Sequence, residues 1–398
     1  MKICIAGKND IGAKVLHFAV QLLGAKEVVV VPNSDDSGRH TWQKSLRQTA
    51  IELGVREMSL EDIYKIEDIL FLSVEYNNII KPELFKTKRL INIHFSKLPK
   101  YKGMYTSIWP ILNGESESGV TLHRIDKGID TGQIIAQSTF PILPDDASRD
   151  VYFNYMHAGF NIIVDNFEKL LRNDFEAFPQ PAAGSTYYSK KSINYSDLKI
   201  NFWATAQQIH NYVRGFSFYE YQLLKIFGSV VRKSEITADS SKDKPGVIVY
   251  EDDKCIIVNT VDYNICLYKD YSLQLFEYVQ AGDAEKVNEI ALLVDNVDVT
   301  NRQGWSPLMI AAYNNDLPIV MALLKAGANI NSSNKKGTTV LMYAKAGAIR
   351  TNELHTLKYL LMQGADYTAV DITGKSVLDY ARVEDNADVV NCLENQNK

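Results

Sequence analysis

The chain has 398 residues, enough for two or three domains that each bury a core. Its hydrophobic fraction of 46% and charged fraction of 23% are those of an ordinary soluble globular protein, and a formal net charge of −5 offers no basic footprint for a long nucleic acid. Cys4, Cys255, Cys266 and Cys392 form no CxxC pair, and no apolar run reaches membrane-spanning length, so the expectation is a cytoplasmic protein with reduced thiols, no metal and no membrane segment.

The first half alternates strands and helices. Residues 2–6 (KICIA) read as a buried strand, followed by an apolar-periodic helix from Ile11 to Leu23. Next come a strand at Glu27–Val31, a helix over Thr41–Leu53, and strands at Ile69–Val74 and Arg89–Phe95. Such βαβ alternation, with nearly continuous apolar strands, predicts a mainly parallel sheet covered on both faces. Two more strands are predicted at Gly119–Ile125 and Gln133–Phe140. A helix then covers Asp150–Leu171, with Met156, Phe160, Ile163, Phe167 and Leu170 forming one core-facing stripe.

Phe178–Gly184 (FPQPAAG) reads as a linker. Beyond it, a short helix near Ala204–Arg214 and strands at Gly246–Tyr250 and Lys254–Asn259 suggest a small α+β subdomain. From Tyr271 a repeat begins. Gly304-Trp-Ser-Pro-Leu308, Gly337-Thr-Thr-Val-Leu341 and Gly374-Lys-Ser-Val-Leu378 are in register, with glycines 33 and then 37 apart, and the excess fits an insertion around Ala346–Glu353. Ala311, Ala344 and Ala381 each follow three residues after the leucine. This pattern resembles ankyrin repeats, whose units bury their apolar faces only on their neighbours. The predicted architecture is an α/β Rossmann-like domain at 1–180, a small α+β subdomain at 181–268 and an all-α repeat domain at 269–398.

The sharpest local feature is Asn92-Ile-His-Phe-Ser-Lys-Leu-Pro99. Asn92 and His94 are two apart in a strand and therefore project from one face near its carboxyl end, where parallel sheets place small-molecule sites. The second is Gly119-Val-Thr-Leu-His123, followed by Asp126-Lys-Gly-Ile-Asp130-Thr-Gly132. Amide, imidazole and carboxylate form a working set for acyl transfer, in which a base, an oxyanion donor and an orienting group are needed. His123 suits a buried, hydrogen-bonded histidine outside catalysis, and Asp126 suits loop shaping.

Together these motifs resemble the formyltransferases that use 10-formyltetrahydrofolate. The resemblance covers about Met1–Arg172. It implies that Asn92 and His94 polarise the formyl carbonyl, that His94 takes the amine proton, and that Asp130 orients His94. It also implies folate contacts at Asn78, Ile79 and Ile80 and along Arg124, Ile125 and Asp126 to Asp130, with no metal. Lys8-Asn-Asp10, Asn33-Ser-Asp-Asp-Ser-Gly38 and Trp42-Gln-Lys-Ser-Leu46 resemble the sugar-nucleotide branch. That branch formylates dTDP-linked amino-deoxysugars, and the ankyrin tail points within it to dTDP-3-amino-3,6-dideoxyglucose and to surface polysaccharide synthesis.

On this reading Lys8, Asn9 and Tyr105 contact the sugar nucleotide, and Tyr219 or Tyr221 stacks on thymine, with plain packing as the competing role for the tyrosines. Trp305 occupies the variable slot of its repeat. There it either packs against the preceding subdomain or is exposed to bind a protein or a second nucleotide-sugar molecule. A 4-amino sugar, a tRNA or another small amine as acceptor stays open, as do a homo-oligomer and a binding protein with a degenerate enzymatic head.

Overall fold

The computed structural model describes residues 2–395. The chain forms two compact units. One comprises residues up to Arg39 together with Lys44–Tyr268, and the other His40–Gln43 together with residues from Lys269 onward.

The first unit is built on a seven-stranded sheet. Its strands are β1 (Ile3–Gly7), β2 (Val28–Pro32), β3 (Arg56–Glu57), β4 (Leu70–Val74), β5 (Leu90–His94), β7 (Glu117–Arg124) and β8 (Ile134–Pro141), after a two-residue β6 (Lys102–Gly103) that pairs outside the sheet with β9 (Tyr187–Tyr188). The order is β3-β2-β1-β4-β5-β7-β8. Pairs from β3 through β5 are parallel, whereas β7 and β8 run antiparallel. Every residue of β1, β2 and β4 is buried, as near-continuous apolar strands require when helices cover both faces.

Flanking helices are α1 (Asn9–Leu23), α2 (Leu46–Glu52), α3 (Leu60–Ile63), α4 (Trp109–Leu112) and α5 (Ser148–Arg172). Of the α5 stripe, Met156, Ile163, Phe167 and Leu170 are buried, while Phe160 is half-buried and meets Phe18 edge-on. The helix expected from Thr41 begins only at Leu46. Ser45 caps it by accepting from Gln48 N, and Asp36 holds the preceding turn through Gly38 N, Ser45 Oγ and Arg47 N.

The smaller subdomain is a five-stranded sheet packed on α6 (Ala206–Gly215). Its strands are β10 (Leu224–Ile226), β11 (Ser229–Ser240), β12 (Ile248–Glu251), β13 (Cys255–Val258) and β14 (Tyr263–Lys269), in the order β10-β11-β14-β13-β12. The sequence does not mark the long β11, because only Val231 and Ser234 of its twelve residues are buried and no apolar alternation results.

Among its described residues the second unit stacks four helix pairs. They are α7 (Ser272–Ala281) with α8 (Ala284–Ile290), α9 (Pro307–Asn314) with α10 (Leu317–Lys325), α11 (Val340–Thr351) with α12 (His355–Met362), and α13 (Val377–Val383) with α14 (Ala387–Glu394). Ser306, Thr339 and Ser376 are N-caps, which explains the recurring hydroxyl of the repeat motif. Ala311, Ala344 and Ala381 are fully buried, where a larger side chain would hold adjacent helices apart. The extra residues of the third repeat lengthen α11 to twelve residues against eight in α9, which is one additional turn. Within this unit Trp42 N donates to Arg302 O at 3.4 Å.

Candidate functional site

The carboxyl end of β5 carries Asn92 and His94. Antiparallel pairing with β7 sets Asn92 directly opposite His123 and His94 opposite Thr121. Asp130, on the loop between β7 and β8, reaches both strands. Its Oδ2 lies 3.5 Å from His94 Nδ1, and its Oδ1 lies 3.5 Å from both Asn92 Nδ2 and His123 Nε2. Asn92 Nδ2 is 3.0 Å from His123 Nε2. The three sequence-predicted residues therefore meet. His123, set aside in the sequence reading, is buried and hydrogen-bonded as expected, but it sits inside the same cluster.

Hydrogen bonds fix how the imidazoles are used. His94 Nε2 lies 2.9 Å from Tyr101 O, and a carbonyl can only accept, so Nε2 carries the proton and Nδ1 presents a lone pair toward Asp130. By the same logic His123 Nδ1 donates to Arg124 O at 2.8 Å, and His123 Nε2 accepts from Asn92.

The surrounding motif residues hold this geometry. Thr121 Oγ1 donates to Ser96 O and accepts from Leu98 N, while Gln137 bonds Leu98 O and Thr121 Oγ1, so the Ser-Lys-Leu-Pro loop is clamped onto β7. The Leu98–Pro99 peptide is cis. A side chain at Gly132 would place its Cβ 1.7 Å from Arg124 O, so the Asp-Thr-Gly turn admits only glycine there. Asp126 accepts from Gly128 N and Thr131 Oγ1, as loop shaping requires.

One contributor lies in the stretch read as a linker. Gln180 Nε2 donates to Asp130 O and Gly132 O at 2.8 Å each, and Phe178 exchanges backbone bonds with Ile134. Proline and glycine punctuation hid this strap from the sequence reading.

Electrostatics separate the acid from the base. Burial disfavours a charged His94 and lowers its pKa, although the Asp130 charge and the Tyr101 carbonyl oppose this. For Asp130, burial pushes upward. The two imidazoles and the Gly103 N–H, which donates at 2.9 Å, outweigh it and hold the carboxyl well below the usual range. At neutral pH the site pairs a neutral imidazole with a carboxylate.

The folate candidates fall on two stretches that converge, since Ile80 and Ile125 pack against the same apolar cluster around Phe71 and Phe85. Ile79 is 75% exposed and Ile129, beside Asp130, is 42% exposed. Asn78 Nδ2 donates to Tyr76 OH, and Arg124 lies over the Phe175 ring at 4.8 Å. Uncovered apolar side chains on these two stretches suit the face of a flat heteroaromatic group.

Of the sugar-nucleotide candidates, Lys8 pairs with Asp35 at 3.1 Å, and Asn9 Nδ2 donates to Glu75 and to Tyr152. Tyr105 OH donates to Lys190 O, and its ring meets Tyr195 edge-on. Tyr221 is half exposed beside the buried Phe218, whereas Tyr219 is more covered. In the repeat unit Trp305 is half-buried rather than freely exposed, because it contacts the Tyr343 ring at 5.3 Å and Tyr313 at 6.2 Å.

Among the described residues no group of His, Cys, Asp and Glu side chains is placed to hold a metal ion, and no helix is long and apolar enough to cross a membrane.

Comparison with known proteins gives three family matches. They are Formyl transferase at residues 54–166, Formyl transferase C-terminal domain at 192–272, and Ankyrin repeats (3 copies) at 275–371. Among curated proteins, the methionyl-tRNA formyltransferase of Alkaliphilus oremlandii is 31% identical over 211 residues, covering 50% of this chain and 66% of that protein. That of Synechocystis sp. is 29% identical over 253 residues, covering 58% and 75%. The chain thus spans just under two thirds of the first relative's length.

Among solved structures, the N-formyltransferase of Helicobacter canadensis, in complex with folinic acid and dTDP-3-aminofucose, is 42% identical with a TM-score of 0.64, covering 68% of this chain and 99% of that one. WlaRD, a sugar 3N-formyltransferase solved with dTDP and 5-N-formyl-THF, is 46% identical at the same TM-score, covering 68% and 97%. With Asn92, His94 and Asp130 gathered at the carboxyl edge of the sheet and this likeness running through nearly the whole of both solved enzymes, the chain belongs to the N-formyltransferase family, with ankyrin repeats on its C-terminal side.

Proposed function

We propose that the protein transfers a formyl group from 10-formyltetrahydrofolate to the amino group of a dTDP-linked amino-deoxysugar, dTDP-3-amino-3,6-dideoxyglucose in particular, for surface polysaccharide synthesis. The observation that carries this reading is the Asn92, His94 and Asp130 cluster, within a chain 42% and 46% identical to enzymes solved with a folate and a dTDP ligand.

The folate, when bound, supplies the formyl carbon as the electrophile. Asn92 directs an N–H to the formyl oxygen as negative charge develops there, giving up its long 3.5 Å contact to Asp130. His94 Nδ1 takes the proton that the amine sheds as its nitrogen bonds to carbon. The new imidazolium then lies beside the Asp130 carboxylate, which stabilises it and holds the ring for return of the proton to the departing folate nitrogen. His123 keeps the Asn92 amide oriented, and Gln180 fixes the backbone of Asp130. Asn78, Ile79, Ile80, Arg124, Ile125 and Asp126 flank the folate. Lys8, Asn9, Tyr105 and the exposed Tyr221 line the sugar-nucleotide side, with Tyr219 beside them, and Trp305 offers a ring to a further ligand or protein on the repeats.

The test is incubation with 10-formyltetrahydrofolate and, separately, dTDP-3-amino, dTDP-4-amino and UDP-4-amino sugars, with mass spectrometry reading the gain of one CO. Formylation of the dTDP-3-amino sugar at the highest kcat/KM is expected. Absence of product from every amino sugar overturns the reading.

A further inference from the structure

A second polar cluster stands at the same edge of the sheet, one strand away from the reacting residues. Val74 ends β4 and pairs with Ile93, so Glu75 follows directly after the strand that neighbours the one ending in His94. Its carboxylate Oε1 is 3.0 Å from Tyr152 OH, and its Oε2 is 3.0 Å from Asn9 Nδ2. Asn9 Nδ2 also donates to Tyr152 OH at 3.1 Å, which closes a triangle of side chains from the ends of β1, β4 and α5.

Two features set this triangle apart from ordinary packing. Glu75 and Asn9 both hold left-handed backbone conformations, with φ of 54° and 65°, and neither is glycine. Such a conformation is unfavourable for a residue with a side chain and persists where the surroundings over-determine it. Here Asn33, fully buried, donates from Nδ2 to Glu75 O and accepts from Asn77 N, so the turn that aims Glu75 is itself clamped. A Cβ at Gly7 would lie 1.8 Å from Val74 O, so the strand ends that carry Asn9 and Glu75 are pressed together by a glycine contact.

The second feature is the direction of the hydrogen bonds. The Tyr152 hydroxyl and both Asn9 amide hydrogens are used within the triangle, while a carboxylate offers about four acceptor positions. The half-buried Glu75 therefore keeps acceptor positions open whether or not it carries its proton. The anionic ends of a folate or a nucleotide diphosphate offer only acceptors, so the group that fills these positions is a donor such as a hydroxyl.

We propose that Glu75, aimed by Asn9 and Tyr152, is a specificity-determining residue that accepts a hydrogen bond from a ring hydroxyl vicinal to the reacting amine. This rests on the reading of the acceptor as an amino sugar. The placement explains why a clamped carboxyl stands at the end of the strand next to the one that carries the base. An amine delivered to His94 Nδ1 carries its neighbouring ring hydroxyl across to β4, and an amine without such a hydroxyl leaves the Glu75 acceptor unmatched.

The experiment compares wild type, Glu75→Ala, Glu75→Gln and Tyr152→Phe on dTDP-3-amino-3,6-dideoxyglucose and on its two analogues that each lack one hydroxyl vicinal to the amine. Glu75→Ala is expected to raise KM for the parent sugar between about ten- and a hundredfold, with kcat within a few-fold and KM for the folate unchanged. For one of the deoxy analogues, KM is already raised in wild type and the substitution adds nothing. Glu75→Gln and Tyr152→Phe follow the same pattern with smaller amplitude. The ratio of KM values between acceptors within one variant is independent of how much of that variant folds. Equal losses on parent and analogues in every variant overturn the proposal and leave Glu75 a structural residue. A wild type that formylates none of the three sugars overturns the amino-sugar reading itself.

Discussion

Asp130 and Glu75 are both covered carboxyl groups at the carboxyl edge of one sheet, yet their proton affinities are shifted in opposite directions. Asp130 has two imidazoles and a backbone N–H beside it and is kept ionised far into acid. Glu75 meets an amide and a phenol. Burial dominates there and pushes its pKa up to about 7, with the Asn9 and Tyr152 hydrogen bonds and the Lys8 charge opposing and Asp10 reinforcing. Burial acts on both alike. What differs is how strongly the neighbours favour the charged form, two imidazoles and a backbone N–H against an amide, a phenol and the Lys8 charge, and that difference separates a charge suited to stabilising an imidazolium from a carboxyl suited to reading a neutral hydroxyl.

The largest expected effect comes from removing the charged member. Asp130→Asn keeps the size and loses the charge, so kcat is expected to fall by about 10³-fold with the fold intact. A fall of less than tenfold would break the contrast between the two carboxyls. The pH profile of kcat/KM sharpens it further. In the proposed mechanism His94 is the neutral base and burial lowers its pKa, so the acid limb should lie below 6.5 in wild type. It should move lower still in Asp130→Asn, because the charge that favours the imidazolium is gone. A limb that moves toward alkaline pH contradicts the assignment. A smaller loss is expected for Gln180→Ala, which frees the carbonyls of Asp130 and Gly132 without touching a reacting atom. Kcat should drop by roughly tenfold to a hundredfold while folate KM changes little.

Much of this arrangement is legible in the sequence, for identifiable reasons. The parallel strands announce themselves because burial on both faces forces continuous apolar runs. The repeats do so because each unit needs the same cap, the same small alanine and the same turn glycine. Asn92 and His94 are legible as a pair because a spacing of two in a strand means one face. His123 is not, because its place opposite Asn92 depends on the antiparallel register of β5 with β7. Gln180 is hidden by neighbouring prolines that read as linker. Glu75 looks like any acid after a strand, since neither its left-handed turn nor the approach of α5 through Tyr152 leaves a local signal.

The smallest expected effect isolates Glu75 from catalysis altogether. Its folded pKa of about 7 lies above the value of 4.5 for a free carboxyl, so the folded chain binds the extra proton between those limits. The stability this provides is fully present below pH 4.5 and is lost as pH rises through 7, where the carboxyl ionises in covered surroundings. Glu75→Gln has no proton to lose there. Relative to wild type it should therefore be more stable at pH 8.5 than at pH 5, by at most about 3 kcal/mol and less where water reaches the half-buried group. Thermal unfolding of both proteins at the two pH values reads this as a difference of Tm shifts. A wild-type-minus-variant difference that stays flat with pH would mean that Glu75 is ionised throughout. The contrast with Asp130 would then lie in geometry alone.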